Sequence, residues 1–405
     1  MQTRSKPMRA LKKLIKWLLI LAVAAVVGYL AYVYMTYHRL PYTSEQHSNR
    51  KSNPAPVEET FTVLTWNLGY GAFSRDFSCF TDGGTESRAR SPQHVFDNLI
   101  HCVDRIHAEA ADFVLLQAVD RKSDRAWRVD EAEVVRETLG NRYQSYYVQN
   151  YNSAYLLYPP KHPVGAAKSG LLTLSDRDIF RAERISLPVD TDWHRLLDMD
   201  RCYSVCRIPT DDGRELCLFN LHFSAYTADE TVPTRQLETL LDQMKSEYDG
   251  GNYVIAGGDF NMDLLGNSAE VFGVGGDCAW ARPIDLSLFP EGIALVNATD
   301  AEHPVPTRRN CDTGYVPGET FVATVDGFIA SDNVEVLDCY VPDEGFESSY
   351  HNPVVLKFRL NSPGPAPTPT ATPEATEDPD ATEEPETTEK PDTTEESETT
   401  EEPEA

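Results

Sequence analysis

Basic residues are scarce in this chain: 36 Lys and Arg face 64 Asp and Glu in 405 residues, for a net charge of −28. The deficit is uneven. Nine basic and three acidic residues lie in the first 60 positions, whereas the last 45 carry fifteen acidic residues and a single Lys390. The centre is therefore acidic and has no run of Lys or Arg. That disfavours duplex nucleic acid as a partner, because a polyanion is repelled unless a local basic groove overrides the field. Also missing are any Cys-x-x-Cys pair and any repeat of solenoid length, which argues against zinc ribbons, compact disulfide frameworks and repeat arrays. Of the eight cysteines, Cys206 and Cys217 flank the turn signal Asp211-Asp212-Gly213 and are candidates to face each other across a hairpin. Buried free thiols are the competing reading.

What is present begins with a targeting signal. Arg4, Lys6, Arg9, Lys12, Lys13 and Lys16 precede an apolar run from Trp17 to Met35, broken only by Gly28. Such a run rises about 28 Å as a helix, close to the hydrocarbon thickness of a bilayer. The basic side stays cytoplasmic by the positive-inside rule, so the rest of the chain is expected outside. Tyr29, Tyr32 and Tyr34 suit the outer interface. A cleaved signal peptide is the rival, but Tyr-Met-Thr-Tyr-His follows the run instead of small residues. The resulting division is a cytoplasmic basic segment (1–16), a transmembrane signal anchor (17–35), a polar linker (36–60), a globular domain (61–360) and an acidic tail rich in Pro, Thr and Glu (361–405). The tail has almost nothing to bury and is expected to be disordered.

Within 61–360, strands and helices alternate. Phe61 to Trp66 and Phe113 to Leu116 read as strands, followed by candidates at 169–175, 201–208, 215–221, 253–257, 321–330, 334–340 and 353–360. Ser91-Pro92 opens a helix with Val95, Leu99, Val103 and Ile106 at helical spacing, and a second helix covers about 234–249. Many strands, few helices and Asp-Gly turns fit an α/β (α+β) domain of two packed sheets flanked by helices.

Six short segments place polar residues at the ends of apolar strands: Thr65-Trp66-Asn67, Leu116-Gln117-Ala118-Val119-Asp120, Asn220-Leu221-His222, Gly257-Gly258-Asp259-Phe260-Asn261, Val325-Asp326-Gly327 and Ser349-Tyr350-His351-Asn352-Pro353-Val354-Val355. Open sheets place their sites at such ends. Each segment alone also has an ordinary reading. Gly-Gly-Asp-Phe-Asn can be an Asx turn, Asp326-Gly327 a hairpin turn, Asn67 a strand-end cap, His222 a satisfied buried histidine and His351 a loop residue.

In order and combination, the segments resemble the endonuclease/exonuclease/phosphatase family, also called deoxyribonuclease I-like. That family runs from a strand ending in Asn, through Leu-Gln-Glu, Asn-x-His, Gly-Asp-Phe-Asn and a strand with Asp, to Ser-Asp-His-x-Pro-Val. The resemblance implies a four-layered α/β/β/α sandwich of two mainly antiparallel sheets and metal-dependent hydrolysis of a phosphoester. It assigns His351 as general base, oriented by Asp326. Asp259 and Asn261 would position water and phosphate, His222 would hydrogen-bond a phosphate oxygen, and Arg201 would be a further phosphate contact. Asn67 and Asp259 would sit at a Mg²⁺ (or Mn²⁺) acting as Lewis acid.

Two departures fall on that metal. The glutamate of Leu-Gln-Glu is Ala118 and the aspartate of Ser-Asp-His is Tyr350. Alanine cannot ligate and a neutral phenol is a poor Mg²⁺ ligand. Asp120, Glu344 and Glu347 are the neighbours from which a replacement carboxylate is expected, if there is one. Two functions stay open: an extracellular phosphoesterase with weak or relocated metal, and a non-catalytic surface module that binds a phosphorylated ligand or partner. Lipid head groups, extracellular nucleotides and wall polymers all suit the anchored placement.

Overall fold

In the computed structural model, which describes residues 5–46, 52–196, 198–275, 280–298, 300 and 302–361, the chain opens with α1 (Ser5–Thr36), β1 (Thr43–Gln46), β2 (Thr60–Asn67), α2 (Pro92–Ala108) and β3 (Phe113–Asp120). It continues through α3 (Glu131–Leu139), β4 (Gln144–Asn152), β5 (Lys168–Ser175), β6 (Arg181–Ser186), β7 (Cys202–Pro209) and β8 (Glu215–His222). The last part holds α4 (Val232–Asp249), β9 (Tyr253–Asp259), β10 (Ile293–Val296), β11 (Asp326–Ser331), β12 (Val334–Tyr340) and β13 (Val354–Leu360). The Ser91-Pro92 start behaves as its residue types dictate: Ser91 Oγ accepts from the His94 N–H at 3.1 Å, and Pro92 occupies the first turn.

The strands form a seven-stranded sheet in the order β1-β6-β7-β8-β9-β11-β10 and a six-stranded sheet in the order β12-β13-β2-β3-β5-β4. Each is antiparallel except for one pair, β8 with β9 and β2 with β3. Parallel neighbours need a crossover, and α4 and α2 supply it. Strand alternation then sets the layers. Phe61, Val63, Phe113 and Leu115 face Leu218, Ile255 and Phe328 between the sheets. The other face of β2 and β3, including Leu64, Trp66 and Val114, packs under Val95 and Leu99 of α2 and Val135 of α3. Phe219, Val254 and Ala256 pack under Leu237, Leu240 and Met244 of α4. The expected α/β/β/α sandwich is the one observed.

Three features differ from expectation. The described parts of the linker pack on the domain: β1 pairs with β6, Arg39 meets Asp200 at 3.2 Å, and Ala55 is buried between the sheets. Cys206 and Cys217 are one register step out, opposite Leu218 and Arg207 respectively, so they point to different faces and both remain free. The strand expected at 321–330 is split into Val322–Ala323 and β11, while α3, β4, β6 and β10 carry no strong apolar period and were not anticipated. The tail lies outside the described residues from 362 onward, as does Cys278. The α1 stretch Met8–Thr36 is long and apolar enough to cross a membrane, by length and composition.

Candidate functional site

The inward positions of both sheets converge at one end of the sandwich. Register puts His222 of β8 beside Asp259 of β9, and Asp259 beside Asp326 of β11. From the other sheet, β2 ends in Asn67, whose Nδ2 donates to Asp259 Oδ2 at 2.9 Å. Six of the residues singled out in the sequence, Asn67, His222, Asp259, Asn261, Asp326 and His351, are thus buried together.

His351 precedes β13 and is held from several sides. Its carbonyl accepts from Trp66 Nε1 at 2.8 Å, and its N–H donates to Ser349 Oγ at 3.1 Å. Its Nδ1 lies 2.7 Å from Asp326 Oδ2, and its Nε2 is unpartnered, 3.8 Å from Asp259 Oδ2. Burial disfavours either charge in this pair: it pushes Asp326 well above the ordinary carboxylate range and lowers His351 to about 3, against the pull of Asp259. The imidazole is therefore neutral near pH 7. Burial, with Arg201, His351 and Arg308 nearby, likewise keeps His222 uncharged. The arrangement sets a neutral imidazole, oriented by a carboxyl group, beside a second neutral histidine.

The Asx reading of Gly-Gly-Asp-Phe-Asn holds, and the same turn buries Asp259 and Asn261 beside the other strand-end residues. Asp259 Oδ1 accepts from the Asn261 N–H at 2.9 Å, and Asn261 takes the left-handed backbone (φ 49°) that Asn tolerates. Arg308, to which the sequence reading assigned no role, donates to Asn261 Oδ1. Its guanidinium carbon lies 3.8 Å from the centre of the Trp280 ring and 5.5 Å from that of Tyr350, within cation–π range of both. Arg201 is buried beside His222, with Nε and Nη1 unpartnered.

The metal side looks different. Ala118 sits at a bulge between Leu116 and Val119, with φ 52°, and lines the cavity. Tyr350 packs at 4.2 Å on Phe73 and meets the His351 ring edge-on, also at 4.2 Å. Only glycine fits beneath it at position 69, since a Cβ there would lie 2.9 Å from the Tyr350 ring. Asn67 is oriented against a cation. Gly69 N–H can only donate, and it donates to Asn67 Oδ1 at 3.0 Å, so the amide presents NH₂ to Asp259. The three neighbours named as substitutes are all engaged elsewhere. Asp120 forms a two-pronged pair with Arg125 at 2.7 and 2.8 Å, and Arg125 itself lines the cavity. Glu344 meets His101 and Arg105, and Glu347 meets Arg75.

Among the described residues, one group of metal-ligating side chains gathers here: Asp259, Asp326 and His351 bring ligand atoms within 4.8 Å of one another. Recruiting all three would take Asp326 from His351. The residues therefore fit poorly an oxygen-seeking octahedral ion at the position the resemblance implies.

The site opens into a cavity of about 680 Å³ that reaches from Ala118, Arg201, His222 and Arg308 out to Leu157 and Trp193. The two sheets are cross-braced next to Ala118, where Gln117 Nε2 donates to Asn220 Oδ1 at 2.8 Å and to Thr65 Oγ1 at 3.0 Å.

A match to a known family agrees with this fold. The family model described as "Endonuclease/Exonuclease/phosphatase family" matches residues 64–346. Among solved structures, an endonuclease/exonuclease/phosphatase from Beutenbergia cavernae is similar at 16% identity over 75% of this chain and 72% of that one, with a TM-score of 0.51. The 2′,3′-cyclic phosphatase ANGEL2, in complex with adenosine-2′,3′-vanadate, is similar at 17% identity over 80% of this chain and 99% of that one, with a TM-score of 0.49. A humanized TDP2 from D. rerio follows at 15% identity, 74% and 99% coverage and a TM-score of 0.46. No curated protein matches. With the ordered strand-end segments, the doubled sheet and the family match over most of the globular part, the chain belongs to the endonuclease/exonuclease/phosphatase family.

Proposed function

We propose that the chain is a membrane-anchored, extracytoplasmic member of this family that captures a phosphoester and hydrolyses it slowly or not at all. The carrying observation is at Tyr350: where a carboxylate is expected, an aromatic ring instead shares with Trp280 the support of the Arg308 guanidinium. A fixed cation then stands near Asn261 and Asp259, where it attracts phosphate without offering the open coordination of a metal. His222, Asn261, Arg201 and Arg308 would bind the phosphate, while Asp326 holds His351 as a neutral base. Mg²⁺ or Mn²⁺ binds weakly or not at all on this reading, because Asp259 is the one carboxylate left at the expected place. An active phosphodiesterase is the alternative, supported by the intact His351–Asp326 pair. Duplex DNA is disfavoured by the net charge of −28.

The test compares the full chain with the Ala118→Glu/Tyr350→Asp variant, reading Mg²⁺-dependent stability and hydrolysis of an activated phosphodiester. The native chain should show no stabilisation by Mg²⁺ and bind phosphate roughly tenfold less tightly after Arg308→Gln. The double variant should gain about 2.7 kcal/mol at a hundred times its dissociation constant. Metal-dependent turnover by the native chain, abolished by His351→Ala, would overturn the binding reading.

A further inference from the structure

The cavity is much larger than a phosphate needs, and its outer part is not polar. Beyond Arg201, His222 and Arg308 its walls are mainly apolar, with Tyr70, Phe73, Leu156, Val164, Leu196 and Met199, and Asp82 and Arg125 are the other charged groups on it. Its mouth carries large apolar side chains turned to solvent: Leu157 is 55% exposed, Tyr158 67% and Trp193 63%. A soluble domain rarely displays such a cluster without a use for it.

The position of this mouth relative to α1 supplies that use. Tyr29, Leu30 and Val33 of α1 line the same cavity. The loop after β4 is tied to α1 by three hydrogen bonds: Tyr29 Oη donates to the Tyr155 carbonyl at 3.2 Å, and the Tyr155 and Leu157 N–H groups donate to Tyr32 and Tyr29 Oη at 3.1 and 3.3 Å. Tyr29 lies seven residues before the end of α1 at Thr36, which is about 10 Å along the helix. If α1 spans the bilayer with Thr36 outermost, those tyrosines sit where hydrocarbon meets head groups, a depth that aromatic side chains favour. Leu157, Tyr158 and Trp193 then sit beside the outer leaflet.

We propose that the ligand is a phospholipid of the membrane in which the chain is anchored. Its phosphate would meet Arg201, His222 and Arg308, and an acyl chain would lie in the apolar part of the cavity and leave past Leu157 and Trp193. The inference rests on the phosphoester reading above and adds to it the source of the phosphate. Arg201, His222 and Arg308 line the cavity, and among the described residues the Nε and Nη1 of Arg201, the Nδ1 of His222 and the Nε of Arg308 have no hydrogen-bond partner. The acidic surface counts against a large soluble polyanion but not against a ligand delivered laterally through an apolar mouth.

The test uses the full chain in phosphatidylcholine nanodiscs containing a phosphatidylglycerol with a photoactivatable acyl chain. Cross-links should map to Leu156, Leu157 and Met199, compete with unlabelled phosphatidylglycerol and resist glycerol 3-phosphate. Leu157→Ser/Tyr158→Ser alters two exposed side chains and should fold normally, yet cut labelling roughly tenfold. Arg201→Gln should cut it comparably. Labelling spread evenly over the surface, or indifferent to the Leu157/Tyr158 change, overturns the lipid assignment. Equal competition by glycerol 3-phosphate also overturns it, while leaving the phosphoester reading standing. Labelling that survives Arg201→Gln, Arg308→Gln and His222→Ala together overturns both.

Discussion

Ala118 is held at φ 52°, a left-handed conformation that costs an L-residue with a Cβ roughly 1–2 kcal/mol. The bulge that imposes it lies where the resemblance places a glutamate. Ala118→Gly relieves that strain but adds about 0.5–1 kcal/mol of unfolded-state entropy. The expected result is no loss of stability, and up to ~1 kcal/mol of gain, in urea denaturation. A loss of more than ~1 kcal/mol, as for an ordinary buried strand position, would mean that the bulge is not strained. The same residue shows where sequence reasoning stopped. That Ala118 cannot ligate was plain from its side chain. That Asp120 cannot replace it was not, because nothing in the sequence shows that Arg125 takes both of its carboxylate oxygens. Asn67 is a second case: its type suggests a ligand oxygen, but the N–H of Gly69 claims that oxygen. Arg308 gave no signal beyond being a basic residue in an acidic domain, since its meaning depends on Trp280 and Tyr350, both distant in sequence.

At the level of elements, α4 is joined to the seven-stranded sheet by more than its apolar stripe. Arg207 of β7 reaches Glu247 of α4 at 2.9 Å and Glu183 of β6 at 3.0 Å. Burial alone would raise Glu247, but the Arg207 hydrogen bonds and charge, with Asn252 and Gln243, hold it down to about 2 from an ordinary 4.5. A depressed carboxylate stabilises the fold above its unfolded value, and the contribution is lost as pH falls from 4.5 through about 2. Glu247→Gln should therefore cost about 2 kcal/mol at neutral pH, allowing for solvent screening, and flatten the acid limb of the stability profile. An unchanged acid limb would show that the pair does not couple to folding. Elements with a strong apolar period, such as α2 and α4, could be read in advance to within a few residues. Those held by side-chain networks could not: β6 reads Arg-Ala-Glu-Arg-Ile-Ser and is a strand because Arg207, Gln149 and Leu40 satisfy its charged groups. Long loops fall in the same class. Arg309 donates to the carbonyls of Ser74, Phe77, Asn310 and Thr313 and so clips together two connections whose composition announces no structure.

For the whole molecule, the boundary between the apolar N-terminal helix and the domain decides what the folded unit contains. Composition places it near residue 60, because 36–60 is polar and punctuated by prolines. The packing places it near residue 37. β1 closes the edge of the seven-stranded sheet against β6, Asp178 accepts from the Ser52 and Asn53 N–H groups at 2.8 and 2.9 Å, and Ala55 is buried between the sheets. A sheet edge left bare also invites association with other chains. A chain of residues 37–361 should therefore unfold cooperatively and remain monomeric. A chain of residues 61–361 should lose roughly 2–4 kcal/mol, from the missing apolar burial and hydrogen bonds, and tend to self-associate. Urea midpoints and light scattering on the two chains read both quantities. On the anchoring proposal, neither should stay with membranes after an alkaline wash that retains the full chain. Equal stability of the two would return 37–60 to the role of a passive linker. A membrane-bound 37–361 chain would instead mean that the exposed cluster around Leu157 and Trp193 holds the bilayer without α1.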